Sequence, residues 1–206
     1  MIPIDEFISG FYEVFGDQKN LYPWEITKNL NRIIEALIPK LHQDFDINHG
    51  IAIHKTAKIE MGAVLKAPII ISEKCFVSAT SYLRGGVFLG NSSIVGPSSE
   101  VKTSIVFHQS VIAHLNFVGD SIIGSDVNFE AGSHTANHYN ERVWKNIDAV
   151  YRGELVQSNC NRFGSVIGDH SRIGANAVLA PGTLLNPSGI VERLTFFDPS
   201  SALRRS

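Results

Sequence analysis

An aliphatic residue recurs every six positions from residue 53 onward, and that period belongs to neither an ordinary helix nor an ordinary strand. Ile53, Ile59, Leu65, Ile71, Val77, Leu83, Leu89, Val95 and Val101 form an unbroken series, whereas helices bury a face every ~3.6 residues and strands every ~2. Two five-residue steps carry it through Val106, Ile112, Val118, Ile123 and Phe129, and it resumes as Ile167, Ile173, Leu179, Leu185 and Val191. Glycine follows at Leu89-Gly90, Val95-Gly96, Ile123-Gly124, Ile167-Gly168 and Ile173-Gly174. This is a hexapeptide repeat: each six residues make one short strand and one corner, and three close a triangular coil of about 18 residues. One coil cannot bury its aliphatic set alone, so the chain must stack coils into a parallel β-helix. General connection rules favour right-handed crossovers, but the period itself does not set the hand.

Residues 1–48 have a different texture. Phe7, Ile8, Phe11, Val14 and Phe15 recur at helical spacing after Asp5, and Pro23 opens a second stripe through Ile26, Leu30, Ile33, Ile34, Leu37, Ile38 and Leu41. The predicted organisation is a helical segment over 1–48, a β-helix over 49–193 interrupted at 133–163, and a tail over 194–206. The helical segment is expected to cap the first coil or lie along the first few, with Phe196 and Phe197 helping to close the other end. Within the insertion, 143–147 and 149–156 read as a hairpin that serves binding or oligomer contacts. Trp24 and Trp144 read as packing residues.

Composition excludes several classes. With 18 Lys+Arg against 20 Asp+Glu, and no basic run longer than Arg204-Arg205, the chain has no electrostatic footprint for a nucleic acid or an anionic membrane. Neither a secretory leader nor an apolar stretch of membrane-spanning length is present, so a soluble cytoplasmic protein is expected. The Asn91-Ser92-Ser93 sequon then has no secretory context. Cys75 and Cys160 form no CxxC pair.

Labelling faces in order puts Leu83, Val101 and Val118 on face A, Leu89, Val106 and Ile123 on face B, and Val95, Ile112 and Phe129 on face C. Arg84 and Lys102 then stack one coil apart at one corner, where two cations repel unless an anion lies beside them or solvent screens them. A phosphate would satisfy both. His114 and Asn128 belong to face C and its corner, and the insertion carrying Asn137 and His138 is expected to leave near that edge.

The stretches Leu83-Arg84-Gly85-Gly86, Glu100-Val101-Lys102, Ala113 to Asp120, Ile123 to Asn128, and Ala131-Gly132 through Ala136-Asn137 carry a resemblance over residues 50–193. The chain resembles the acetyltransferase domain of bifunctional N-acetylglucosamine-1-phosphate uridyltransferases. It is similar too to the C-terminal domains of archaeal sugar-1-phosphate nucleotidylyltransferases and to stand-alone transferases grouped with UDP-N-acetylglucosamine acyltransferase. The resemblance implies a left-handed β-helix, a homotrimer, and acetyl-CoA or another acyl-CoA held between subunits. It assigns His114 as general base, Arg84 and Lys102 as sugar-phosphate ligands, and Asn128 and Asn137 as sugar-site amides. Arg162 stands where the family places a lysine, and Ala175 lies near a thioester-binding position. Two positions depart from the pattern, Phe117 and His138, each replacing a tyrosine.

The implied activity is acetyl-CoA-dependent N-acetylation of an amino-sugar phosphate or a nucleotide-linked amino sugar. The chain carries no Gly-rich nucleotidyltransferase loop, so nucleotidyl transfer is not expected. Two other classes compete. One is a non-catalytic sugar-nucleotide-binding or trimerising module; the other is a zinc-dependent hydro-lyase using His108, His114, His134 and His138. The second requires histidines from different faces to converge, so no metal is expected.

Overall fold

Every aliphatic residue of the six-residue series lies in a short strand or at its edge, and strands one coil apart pair in parallel. The computed structural model describes residues 1–201 and Leu203, which leaves Arg204 and Arg205 outside the described residues. From Ile51 the chain winds as a left-handed parallel β-helix. Face A stacks Leu65, Leu83, Val101, Val118, Thr135, Leu179 and Phe197. Face B stacks Ile53, Ile71, Leu89, Val106, Ile123, Ile167 and Leu185, and face C runs from Ile59 through Val77, Val95, Ile112, Phe129 and Ile173 to Val191. Most of these side chains form one continuous buried core, the neighbour-to-neighbour burial that a stack of repeats requires.

Corners explain the small residues. Ser98, Thr103, Gln109, Leu115, Asp120 and Asp126 hold φ between 48° and 58°, so each corner is turned by one left-handed residue. Buried serines at the strand entrances donate to carbonyls of the next coil, as Ser93 does to Phe107 at 2.6 Å and Ser110 to Gly124 at 2.6 Å. Coils approach so closely here that a Cβ on Gly96 would lie 1.6 Å from the Ala113 carbonyl oxygen.

The N-terminal segment covers a flank, not an end. Its first stripe folds as a 3-10 turn, Ile4–Glu6, followed by a short helix α1 (Phe11–Val14). The second stripe breaks at Asn29 into α2 (Pro23–Lys28), with Pro23 in its first turn as expected, and α3 (Leu30–Leu37). All pack on the outer surface of face B, whose outward residues Ala52, Ile70, Phe88, Ile105, Ile122 and Val166 are buried in a second core with Phe11, Phe15, Trp24, Leu30 and Ile34. The rings of Phe11 and Phe107 stack at 5.9 Å, and Phe15 meets Phe88 edge-on at 5.2 Å. Asp169 clamps the junction: one carboxylate oxygen accepts from Ser9 N–H at 2.8 Å and the other from Ser125 N–H at 2.7 Å. The helical segment ends by residue 40, because Phe45–Asn48 is a strand pairing antiparallel with Ile51–His54.

Three further boundaries move. Ser133 to Thr135 belong to the solenoid, since His134–Thr135 pairs with Phe117–Val118, so the insertion begins after them. Its hairpin pairs Asp148–Tyr151 with Glu154–Gln157 around Arg152 and Gly153, both left-handed at φ 52° and 81°, the geometry of a two-residue hairpin turn. Residues 143–147 are therefore not one of its strands, and Trp144 is 87% exposed, unlike Trp24, which is buried against Tyr22 and Phe163. The hairpin packs on face B beside the N-terminal segment through Ile147 and Ala149, and Tyr151 donates to Glu6. At the C-terminal end Phe196–Phe197 forms a strand on Val178–Leu179, so the solenoid continues past residue 193. Phe197 is half-buried on the core and Phe196 points outward.

Candidate functional site

Arg84 and Lys102 are directly opposed in register at the corner between faces A and B, as the spacing predicted. Their mutual repulsion is answered within the chain: Arg84 pairs with Glu100 at 2.7 Å and Lys102 with Asp120 at 2.6 Å. Asp120 and Asn137 each stand two residues beyond a face-A core position, Val118 and Thr135, one coil apart. Asn137 Nδ2 therefore reaches the same Asp120 oxygen that Lys102 holds, and Asn137 Oδ1 lies 3.1 Å from His138 Nδ1. Asn137 is buried over Gly119, with the Phe117 ring against the same glycine. The insertion thus leaves at the A–B corner and not at the edge of His114 and Asn128, because face A is the last one completed before it departs.

Arg162 comes to this corner from the returning limb of the insertion. It lines an open cavity of about 530 Å³ with Asp120, Thr103 and, from the N-terminal segment, Lys28 and Asn31. Beyond the Gly119-Asp120 dipeptide no motif marks Asp120, Lys28 or Asn31, since their meeting depends on register for Asp120 and, for Lys28 and Asn31, on which face the helices cover.

His114 lies at the corner between faces C and A, with its ring exposed and in no hydrogen bond to another described residue. Ala131 and Ala175 occupy the equivalent positions one and two coils on, through the pairings of Ile112 with Phe129 and Phe129 with Ile173. Ala175 is thus about 10 Å along the same edge, at ~4.8 Å per coil. Its N–H donates to Glu130 at 2.8 Å, and Arg193 grips both oxygens of that carboxylate at 2.7 Å. The Arg193 hydrogen bonds, with help from the Ala175 N–H, hold the Glu130 carboxyl down at about 2. Asn128 is half-buried outward on face C and lines a groove of about 500 Å³ with Glu130, Arg172 and Arg193. One prism therefore presents two separate groups: Arg84, Lys102, Asn137 and Arg162 at one corner, and His114, Asn128 and Ala175 around another.

The histidines weighed for zinc stay apart, with His108 two residues after Val106 on face B and His114 two after Ile112 on face C. Burial holds the His108 imidazole below its usual value, partly offset by Asp169. Among the described residues a different group, His42, Asp44 and His54, brings its ligand atoms within 4.8 Å of one another. There Asp44 is paired with Lys55, and His54 Nδ1 accepts from Thr56 N–H at 3.2 Å.

Stacked six-residue turns around a triangular aliphatic core define a left-handed β-helix protein of the hexapeptide-repeat class. In sequence the chain is similar to the bifunctional protein GlmU of Methanococcus vannielii, 33% identical over 192 residues, covering 89% of this chain and 44% of that protein. It is 31% identical over 170 residues to the bifunctional sugar-1-phosphate nucleotidylyltransferase/acetyltransferase of Sulfurisphaera tokodaii, covering 79% and 42%. The chain thus spans less than half the length of these curated relatives. No protein-family model matches it. Among solved structures, the acetyltransferase domain of PglB from Neisseria gonorrhoeae aligns over 88% of this chain and 69% of its own at 13% identity and a TM-score of 0.36, a likeness too slight to carry an argument.

Proposed function

We propose that the chain is an acyl-CoA-dependent acyltransferase that acetylates the amine of an amino-sugar phosphate or nucleotide-linked amino sugar. The observation that carries this reading is the similarity, over 79% of this chain, to a protein whose name includes an acetyltransferase activity. The polar residues that the resemblance singles out support it by their placement: Arg84, Lys102 and Asn128 lie outside the aliphatic solenoid core, and His114 stands on an open edge.

In this reading His114, as neutral imidazole, takes a proton from the amine as nitrogen attacks the thioester carbonyl. The C–N bond forms, the tetrahedral intermediate collapses with loss of the C–S bond, and the departing thiolate is protonated. Ala175, on the same edge, belongs to the surface along which the thioester lies, and backbone N–H groups of a corner suit an oxyanion. Arg84, Lys102 and Arg162 bind the phosphate, with Asn128 and Asn137 on the sugar, and the cation-rich corner orients the amine. A homotrimer brings the A–B corner of one subunit to the C–A corner of the next, which a single prism keeps apart.

Thiol release from acetyl-CoA against a panel of amino-sugar phosphates and nucleotide amino sugars tests this. Turnover is expected in the parent and to fall about 10²- to 10⁴-fold in His114→Ala, with acetyl-CoA binding retained. A second reading, a non-catalytic binding or trimerising module, draws on Phe117 and on the internal neutralisation of Lys102 by Asp120. A parent protein that neither binds acetyl-CoA nor releases thiol would establish that reading instead.

A further inference from the structure

The four cationic side chains at or near the A–B corner are not equivalent. Arg84 and Lys102 are each matched by a carboxylate at hydrogen-bonding distance, so an incoming anion must compete with a partner already in place. Arg162 and Lys28 line the same cavity of about 530 Å³ and, among the described residues, neither makes an ion pair or a side-chain hydrogen bond. The one carboxylate on that cavity, Asp120, is already held by Lys102 and Asn137. Asn146 and Asn161 add amide groups to the wall. A second cavity of about 390 Å³ adjoins it, sharing Lys28 and Asn31 and adding Arg32. The two together form a polar groove with three unmatched cations and no aromatic or aliphatic wall, which is a surface for a phosphorylated, hydroxyl-rich ligand and not for an acyl chain or an apolar peptide.

Helix α3 reaches this corner because of one glycine. A Cβ on Gly86 would lie 2.7 Å from Asn31 Oδ1 and 3.0 Å from Asn31 N, so only a bare backbone lets the start of α3 settle beside the Arg84-Gly85-Gly86 turn. Face B therefore carries the N-terminal segment into contact with the corner that holds the sequence-predicted phosphate ligands.

We infer that the N-terminal helical segment supplies part of the acceptor site, with Lys28 and Arg162 seating a phosphate group of the phosphorylated amino sugar and Asn31 beside it. This rests on the acetyl-transfer reading and extends it: acceptor specificity is set in part outside the β-helix, by a segment of the same subunit. Arg32, further along the groove, suits a ligand with a second phosphate.

The test compares the parent with Lys28→Glu, Lys28→Arg and, as a control for charge on the same segment, Lys19→Glu. Equilibrium titration uses glucosamine-1-phosphate and UDP-N-acetylglucosamine as probes, and thiol release gives KM for acceptor and for acetyl-CoA separately. Lys28→Glu is expected to weaken binding of at least one probe about tenfold or more, the effect of losing one charge-assisted contact. Acceptor KM should rise with it, KM for acetyl-CoA should stay within twofold, Lys28→Arg should recover most of the loss, and Lys19→Glu should change nothing. Whichever probe binds identifies the phosphate source, monophosphate or nucleotide diphosphate. Acceptor affinity unchanged in Lys28→Glu would overturn the inference while leaving acetyl transfer intact. Probe binding lost in Lys28→Glu, in a protein that releases no thiol with any acceptor, would uphold the seat and remove the acetyl-transfer reading.

Discussion

Asp120 accepts from Lys102 and Asn137 through a single oxygen, in a position almost closed to solvent. Removing it strands a largely buried ammonium and an amide, and breaking a buried pair from one side costs about 3–5 kcal/mol. Asp120→Ala is therefore expected to lower unfolding stability by about 3 kcal/mol in urea titration, at unchanged m-value. Lys102→Met together with Asp120→Ala should recover part of that loss, since no charge then remains unpaired. The stacking of Arg84 on Lys102 was readable from an 18-residue spacing, because a coil is a ruler. Their carboxylate partners were not: Glu100 and Asp120 are ordinary acidic residues until register places them across the corner.

Elements show the same division. Ala52-Ile53, Ile70-Ile71, Phe88-Leu89, Ile105-Val106, Ile122-Ile123, Val166-Ile167 and Leu184-Leu185 are all apolar pairs on face B, a doublet pattern that marks a strand buried on both sides. The six-residue series alone reports only the inward member. The outward members lie under the N-terminal segment and the hairpin, with Phe107 at the centre among Phe11, Phe15 and Phe88. Phe107→Ala is expected to cost about 3–5 kcal/mol, and hydrogen exchange should show faster exchange at residues 1–40 before the face-C strands respond. The second apolar stripe folds as two helices for a local reason: Asn29 sits at φ −99° and ψ 6°, and its side chain donates to the Glu25 carbonyl at 2.8 Å, ending α2 where periodicity continues.

At the scale of the whole molecule, two groups of candidate residues occupy different corners of one prism, and the proposed trimer is what would join them. If it does, His114→Ala and Arg84→Ala subunits, each inactive alone, should complement when co-assembled, because some sites then draw an intact residue from each neighbour. About a quarter of parental turnover is expected from random mixing in a cyclic trimer, checked by thiol release after co-expression. A monomeric mass in solution, or no recovery in mixed assemblies, would remove the shared site.

By itself the sequence determined the solenoid, its three faces and which residues stack, because a six-residue period leaves an aliphatic chain only one way to bury itself. The left-handed turn came from resemblance, since hand does not change the period. Only the tertiary structure decided that the N-terminal segment flanks face B, that the insertion departs from the Arg84 corner, and that Lys28, Asn31 and Arg162 share a cavity. Those outcomes depend on which outer face is apolar over many coils and on a glycine that admits a helix, contacts between residues far apart in the chain that no local pattern encodes.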